Sequence, residues 1–308
     1  MGDFTSSLTK AATVADSVIT LWNEGVIISA QEAAVMDQFA NVKEEAQAKM
    51  FQFTKFSALT PATTALTDGE DPTSEALADT AIQLTPAEYG NVVSTTSLAN
   101  LQSGGKVDRA ALQLIGLNLA QTKDMLAIQA LEASANTISD AAEASIASNN
   151  VITATLLEKA YRQLRKNNVM KFPGFDAYVA VMHPDVAYDL KAVAAAGDWT
   201  DVNKYAQPDR VLKGVIGYYK GFYIVESSNV SINADAGAAA VDTYYTSCFG
   251  FNALGLGISQ APGLRVTGPF DKLGRIMNLG WYGVFKYGLI DTVAACKIIT
   301  ASSVGANT

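Results

Sequence analysis

Apolar positions recur along this chain with more than one period, and each change of period marks a change of element. The longest helical pattern opens at Asp108, a good N-cap, and runs from Arg109 to Ser134 with no proline and one glycine, Gly116. Leu112, Ile115, Leu119 and Leu126 lie on one side of it, and Leu114, Leu117 and Leu131 widen the stripe. At 1.5 Å per residue this predicts a rod of roughly 40 Å, a spine in a mixed domain. A second helix is predicted from the capping-box spacing of Thr155 and Glu158 through about Asn167, ending in Arg162, Arg165 and Lys166, which suit a negative helix C-terminus. Near the start, Ser29-Ala30-Gln31-Glu32 has the same spacing. Val35, Met36, Phe39, Val42 and Ala46 then form a stripe that predicts a helix through Met50.

Beyond Phe172 the pattern shortens. Tyr178–Met182 reads as a strand, His183-Pro184-Asp185 as a turn and helix start, with helix to about Ala196. Gly214, Gly217 and Gly221 punctuate strands through Ile224-Val225. Residues 231–240 form an Ala/Gly/Asn loop, Thr243–Phe251 resumes as strand, and Arg275 to Thr300 is strand-like. The class is α+β, and no internal repeat is visible.

Residues 56–105 differ in kind. They carry six acids (Asp68, Glu70, Asp71, Glu75, Asp79, Glu88) and no lysine or arginine, with turn formers scattered from Pro61 to Gly104-Gly105. Strand-like runs at Ala81–Leu84 and Tyr89–Thr96 flank Pro86. The segment reads as an extended hairpin or arm, too polar to have a private core. Such a one-signed arm is expected to dock on a basic surface of a neighbour, and the helix end at 159–171 is the best local candidate.

Composition narrows the chemistry. Of 308 residues, 49% are apolar and only 17% charged, which suggests a surface covered by neighbouring subunits. The net charge of −8 argues against a protein that grips nucleic acid, since phosphate neutralisation supplies most of that affinity. Cys248 and Cys296 stand alone in apolar stretches and support neither a disulfide framework nor a zinc site. No secretory signal is expected at the N-terminus, and no apolar run approaches the 18 residues of a membrane span. The single histidine, His183, is placed to cap a turn rather than to act as a base, and no G-x-S-x-G elbow accompanies it. Gly255-Leu256-Gly257-Ile258-Ser259-Gln260 fails the dinucleotide pattern at its last position, and no Walker loop is present. Asp68, Glu70 and Asp71 read as a solvated acidic turn, not a calcium loop. The aromatics from Tyr218 to Tyr223 read as sheet packing more than as a base-stacking surface. Arg162, Arg165, Lys166 and Lys171 are a basic cluster explained in part by the helix end and otherwise by an acidic neighbour. No catalytic, cofactor-binding or metal site is assigned, and no cofactor is expected.

The order of elements (arm, polar two-stranded excursion, long spine helix, then an α+β module closed by a returning strand region) resembles the Hong Kong 97-like fold of tailed-bacteriophage major capsid proteins. Local sequence agrees. Leu84-Thr85-Pro86-Ala87-Glu88-Tyr89-Gly90 resembles the extended loop, or E-loop, of the phage N-four-type capsid family. Val179 through Asp185 resembles the strand-to-helix entry of the axial domain, and Gly217 through Val225 a glycine-led strand of the same domain. Asp271-Lys272-Leu273-Gly274 with Gly280-Trp281 resembles the closing segment. The similarity covers most of residues 25–300. It implies an N-terminal arm at 1–55, an E-loop at 56–107, a spine-helix (P) domain at 108–175, an axial (A) domain at 176–266 and a closing segment at 267–308.

The resemblance further implies a non-enzymatic shell subunit. It would form pentamers and hexamers of an icosahedral head around double-stranded DNA, located in the virion and assembled in the host cytoplasm. Expected partners are other copies of the chain, a separate scaffolding protein, a portal and decoration proteins, with DNA enclosed but not bound by sequence, and no membrane. With few residues before the E-loop, no built-in scaffolding segment is expected. Some members join subunits through an E-loop lysine; residues 56–105 have none, so no such cross-link is expected. Two other readings remain: an encapsulin-like compartment of the same fold, and, from another class, a soluble oligomeric enzyme. A surface-layer or adhesin protein ranks behind both.

Overall fold

The computed structural model describes residues 35–69, 71–102, 106–193, 215–269 and 271–304. Its organising element is the spine helix. Residues 97–102 form a short helix, α1, and α2 follows as Lys106–Glu132. The expected N-cap, Asp108, lies inside the first turn of α2, where its charge still suits the helix dipole. Ile115, Leu119, Ile128 and Leu131 are buried as the pattern requires. Leu114 and Leu117 are not: they are 62% and 52% exposed, so the stripe is narrower than the sequence suggests and α2 shows solvent an apolar edge.

Two sheets pack against this helix. The first orders its strands β1 (Asn41–Glu44), β11 (Leu254–Thr267), β12 (Ile276–Leu289) and β4 (Ala87–Thr96). Strand β1 runs parallel to β11 and the other neighbours are antiparallel. The second orders β5 (Thr137–Ile138), β13 (Ala295–Thr300), β10 (Thr243–Phe249), β6 (Tyr178–Met182), β8 (Phe222–Glu226) and β7 (Val215–Tyr219), with β9 (Ile232–Asn233) on β10. Helices α3 (Ala154–Lys166) and α4 (Pro184–Val193) complete the fold. One continuous core includes residues of α2, α3, α4 and both sheets. Strand β6 is buried at all five residues and has the bounds expected for it, because a wholly apolar run stopped by His183-Pro184 leaves no other choice.

Two sequence expectations change. The predicted helix from Ser29 to Met50 is absent over its described part. Ser29–Glu32 lies outside the described residues, Met36–Phe39 is a single 3-10 turn, and the chain then becomes β1. Tertiary contacts override the helical spacing. Phe39 packs edge-on against Phe172 and Phe249 with ring centroids 5.6 and 5.9 Å apart, while Val42 pairs with Leu256 across the sheet. The cap of α3 is Thr153, which accepts from the Leu156 amide, not Thr155; this register buries Leu156, Leu157, Ala160 and Leu164 together. In addition, β11 is a fourteen-residue strand in a stretch for which the sequence predicted no element. Gly214 and the predicted end of α4 near Ala196 lie outside the described residues.

Polar groups on α2 fix other segments to it. Buried Asp124 accepts the amides of Val35 and Met36, each at 3.1 Å through Oδ1, and so caps the 3-10 turn. Asp37 in that turn pairs with Lys123 and accepts from the Tyr287 hydroxyl. Burial and the Asp37 charge push the Tyr287 phenol up. Asn118 Oδ1 accepts from the Trp281 indole at 2.9 Å, and Glu132 accepts from Ser231 N and Oγ at 3.0 and 2.6 Å.

Burial raises the Asp124 carboxyl above its ordinary value despite its two amide donors. A raised carboxyl holds its proton more tightly in the folded chain. Its contribution is therefore complete below the unfolded value of 3.8 and falls away as pH rises through the folded value. Asp124→Asn keeps an oxygen for both amides and is expected to be neutral or stabilising at pH 7. Asp124→Ala orphans both amides and should cost about 1–3 kcal/mol. Urea unfolding of both variants at acid and neutral pH checks this, and equal losses for the two would contradict it.

Candidate assembly surfaces

The feature that stands apart from the core is a hairpin. Strand β2 (Phe51–Phe56) pairs with β3 (Asp79–Leu84), and the same register continues through Ser57 N to Ala78 O at 2.9 Å and Thr60 N to Glu75 Oε2 at 3.0 Å. At about 3.3 Å per residue the paired part reaches roughly 30 Å from its base. The excursion expected from residue 56 thus begins at Phe51, and its strands pair with each other while β4 joins the first sheet. Every described residue from Thr54 to Ala81 is exposed, including Phe56, Leu59, Leu66 and Leu77. Ion pairing adds a tie at the base, where Lys55 meets Asp291.

Phe51, Phe53 and Leu84, with Ile290, make a small core of their own at that base. They rest on backbone. A Cβ at Gly257 would stand 2.5 Å from the Phe51 ring, one at Gly255 2.5 Å from Ile290 and 3.3 Å from Phe53, and one at Gly288 2.4 Å from Leu84. The run Gly255-Leu256-Gly257, tested above as a phosphate loop, is therefore a bed for two aromatic rings. The signal that could have revealed it is glycine at alternate positions of a strand, which clears one face only.

A second exposed apolar region lies on the spine. Leu114, Leu117 and Met125 share one side of α2 with Gln121, and Leu98 and Leu101 of α1 are 61% and 80% exposed. The first sheet ends in β4, ten residues that pair on one side with β12 and have exposed Val92 and Val93. An open strand edge beside apolar side chains is ordinarily covered by a partner.

The remaining candidates form no catalytic arrangement. His183 Nδ1 accepts the Asp185 amide at 3.3 Å and its ring lies 5.2 Å from that of Tyr244, so it caps α4 as expected. Tyr219 and Phe222 are buried in the β7–β8 hairpin, and its turn at Lys220-Gly221 has positive φ at both residues. Gly221 is required there, since a Cβ would reach within 2.5 Å of the Tyr161 ring. Tyr218 packs on Tyr223 at 5.4 Å, so these aromatics are sheet packing. Cys248 and Cys296 face each other across β10 and β13 as buried free thiols, and burial pushes the Cys248 thiol up. Asp68 and Asp71 are exposed at the hairpin tip, and Glu70 lies outside the described residues. Of the basic cluster, Lys171 pairs with Asp176 at 3.4 Å, while Arg162, Arg165 and Lys166 are exposed. Among the described residues no group of three His, Cys, Asp or Glu could hold a metal, and no helix is long and apolar enough to cross a membrane.

A family model described as phage capsid protein matches residues 82–298. Among solved structures, the capsid of Ralstonia phage GP4 is similar with a TM-score of 0.69 at 16% identity, covering 88% of each chain. The cyanophage Pam1 capsid gives 0.63 at 13%, covering 88% of this chain and 93% of that one. The head of Helicobacter pylori bacteriophage KHP40 gives 0.63 at 12%, covering 88% and 91%. No curated protein matches.

Gly257→Val is expected to lift Phe51 from its bed. Overpacking of this kind costs about 1–3 kcal/mol. The loss should fall on the hairpin, seen as faster proteolytic cleavage within residues 51–84, while the melting of the main core changes little. Cleavage at the wild-type rate would show that the bed does not hold the hairpin.

Proposed function

The chain belongs to the phage capsid protein family, and from that premise we propose that its subunits form pentamers and hexamers that close into an icosahedral head around double-stranded DNA. The α+β core is a Hong Kong 97-like capsid fold, and the protein is a tailed-phage capsid protein of the virion shell. The observation that carries the proposal is the hairpin. It has a packed base, then a reach of exposed residues that no other described part of the chain covers. A side chain such as Leu66, 75% exposed, is stabilised only by burial against another molecule. In a closed lattice that molecule is the next subunit, and a repeated contact between identical chains is satisfied by a ring.

In this reading residues 1–50 are the arm and the hairpin with β4 is the E-loop. The spine helix anchors the P domain over 108–175, strands β6 to β10 build the axial domain within 176–266, and 267–308 returns through β12 to the first sheet and β13 to the second. Assembly in the host cytoplasm with a separate scaffolding protein, a portal and decoration proteins fits this scheme. The negative charge fits a container that encloses DNA without gripping it. An encapsulin-like compartment is the alternative of the same fold. The hairpin does contain a lysine, Lys55, one residue before the lysine-free segment 56–105. Its ammonium is paired with Asp291 at the hairpin base, so it is held near its own sheet.

Electron microscopy of the purified protein, or of its source particles, tests the proposal. Closed shells or capsomer rings containing DNA are expected; shells filled with protein cargo and free of nucleic acid would favour the compartment reading. Small oligomers that never close, even with a scaffold supplied, would refute both. On a denaturing gel the shells should run as a single band, and a ladder of covalent multimers would show that Lys55 or another lysine is used for cross-linking.

A further inference from the structure

We propose that the acidic outer half of the hairpin docks on the basic end of α3 in a neighbouring copy, an electrostatic latch between subunits. It deepens the shell reading and rests on it. The hairpin contributes charge of one sign: from Ser57 to Ala78 the sequence holds four acids and no base. Glu75 is occupied within the hairpin, accepting from Thr60 N and Oγ1. Asp68 and Asp71 at the tip are exposed and are the groups free to reach outward.

The receiving surface has the opposite sign, and the described residues of its own chain neutralise it only in part. Around α3, Lys159 pairs with Asp140 at 2.9 Å, Lys220 with Glu158 at 3.2 Å and Lys171 with Asp176 at 3.4 Å. These pairs use up the nearby carboxylates. Among the described residues they leave Arg162 and Lys166, four apart on one exposed side of the helix, with no acidic partner. Like charges at that spacing destabilise a helix. Lys166 in the last turn is favoured by the helix dipole, but Arg162 lies a turn earlier, where that effect has faded. Arg162 also lines a hollow of about 480 Å³ with Lys159, Gln163, Asn136 and Ser139. Asn136 and Ser139 there already donate to backbone carbonyls and Lys159 pairs with Asp140, so Arg162 and Gln163 supply the donors open to a carboxylate. An acidic strand tip fits it in charge and in donor chemistry, and the subunit has such a tip at the end of a reach of roughly 30 Å.

Reversal and exchange of the charges test the latch. Asp68→Lys with Asp71→Lys, and separately Arg162→Glu with Lys166→Glu, should each lower the yield of closed shells about tenfold at low salt, where exposed pairs act with least screening. The chain carrying all four substitutions should recover yield to within about twofold of the wild type, since opposite charges again meet. Thermal melting of the unassembled subunits identifies any variant that fails to fold. The charge-neutral forms Asp68→Asn with Asp71→Asn and Arg162→Gln with Lys166→Gln then replace it, with a partial loss expected. Reversed variants that fold and close like the wild type overturn the latch, as does a folded four-fold variant no better than either pair. Wild-type shells whose stability is the same at low and high ionic strength also overturn it. Those outcomes leave the shell reading standing; a wild-type chain that never closes removes both.

Discussion

Two phenylalanine rings lie on bare backbone at the base of the hairpin, and the arm's direction depends on that contact. Phe51 and Phe53 alternate inward from β2, Leu84 meets them from β3, and glycines at 255, 257 and 288 clear the strand surface beneath them. Each ring gains dispersion and burial, while the cost is local. Glycine in a strand loses more backbone entropy than a larger residue would. Strands β11 and β12 recover that loss through their length: fourteen residues each, paired along most of their extent. A hairpin of two strands is marginal alone in water. Seated on a larger sheet it acquires one fixed base, and the exposed part beyond Thr54 projects from it.

The spine helix plays a matching role for the rest of the chain. Its buried stripe joins the core, and three polar side chains along it hold three distant segments: Asn118 the Trp281 indole, Asp124 the amides at Val35 and Met36, Glu132 the loop at Ser231. At 1.5 Å per residue these points span roughly 20 Å. A helix that carries such ties sets the spacing between the Val35 segment, the first sheet and the edge of the second. Burying carboxylates is costly, and the pKa of both Asp124 and Glu132 is raised by it. The donors of the held segments offset that cost in the folded chain alone, so the ties favour one arrangement over other compact ones.

How much of this was legible follows from which residues act locally. Strand β6 and the body of α2 could be read because their patterns are long or bounded by proline, and no distant residue contradicts them. The segment from Val35 to Met50 could not. Its spacing fits a helix, but Phe39 is drawn into an aromatic cluster with Phe172 and Phe249, and β1 is held by β11 more than two hundred residues later. Strand β11 drew no assignment because glycine at 255 and 257 weakens a strand pattern when its partner rings are unknown. Leu114 and Leu117 look like core in sequence and are exposed in the chain alone. The pattern records that they must be covered and does not say by which molecule. That is also why the hairpin was legible as an unpartnered arm while its seat was not.

The exposed apolar side chains set a limit on how the subunits associate. Burying one large apolar side chain yields about 1.5–3 kcal/mol, so Phe56, Leu59, Leu66 and Leu77 together offer at most about 6–12 kcal/mol. Joining two molecules costs an estimated 4–15 kcal/mol in lost freedom. One hairpin contact is therefore close to break-even. In the proposed ring or shell a subunit would gain several contacts, through its own hairpin, a neighbour's, and the apolar side of α2, for a single loss of freedom. Weak contacts repeated around a closed figure can thus leave free subunits soluble and the closed assembly stable. A charge latch suits that regime, because it selects the register of a contact whose apolar part has little specificity of its own.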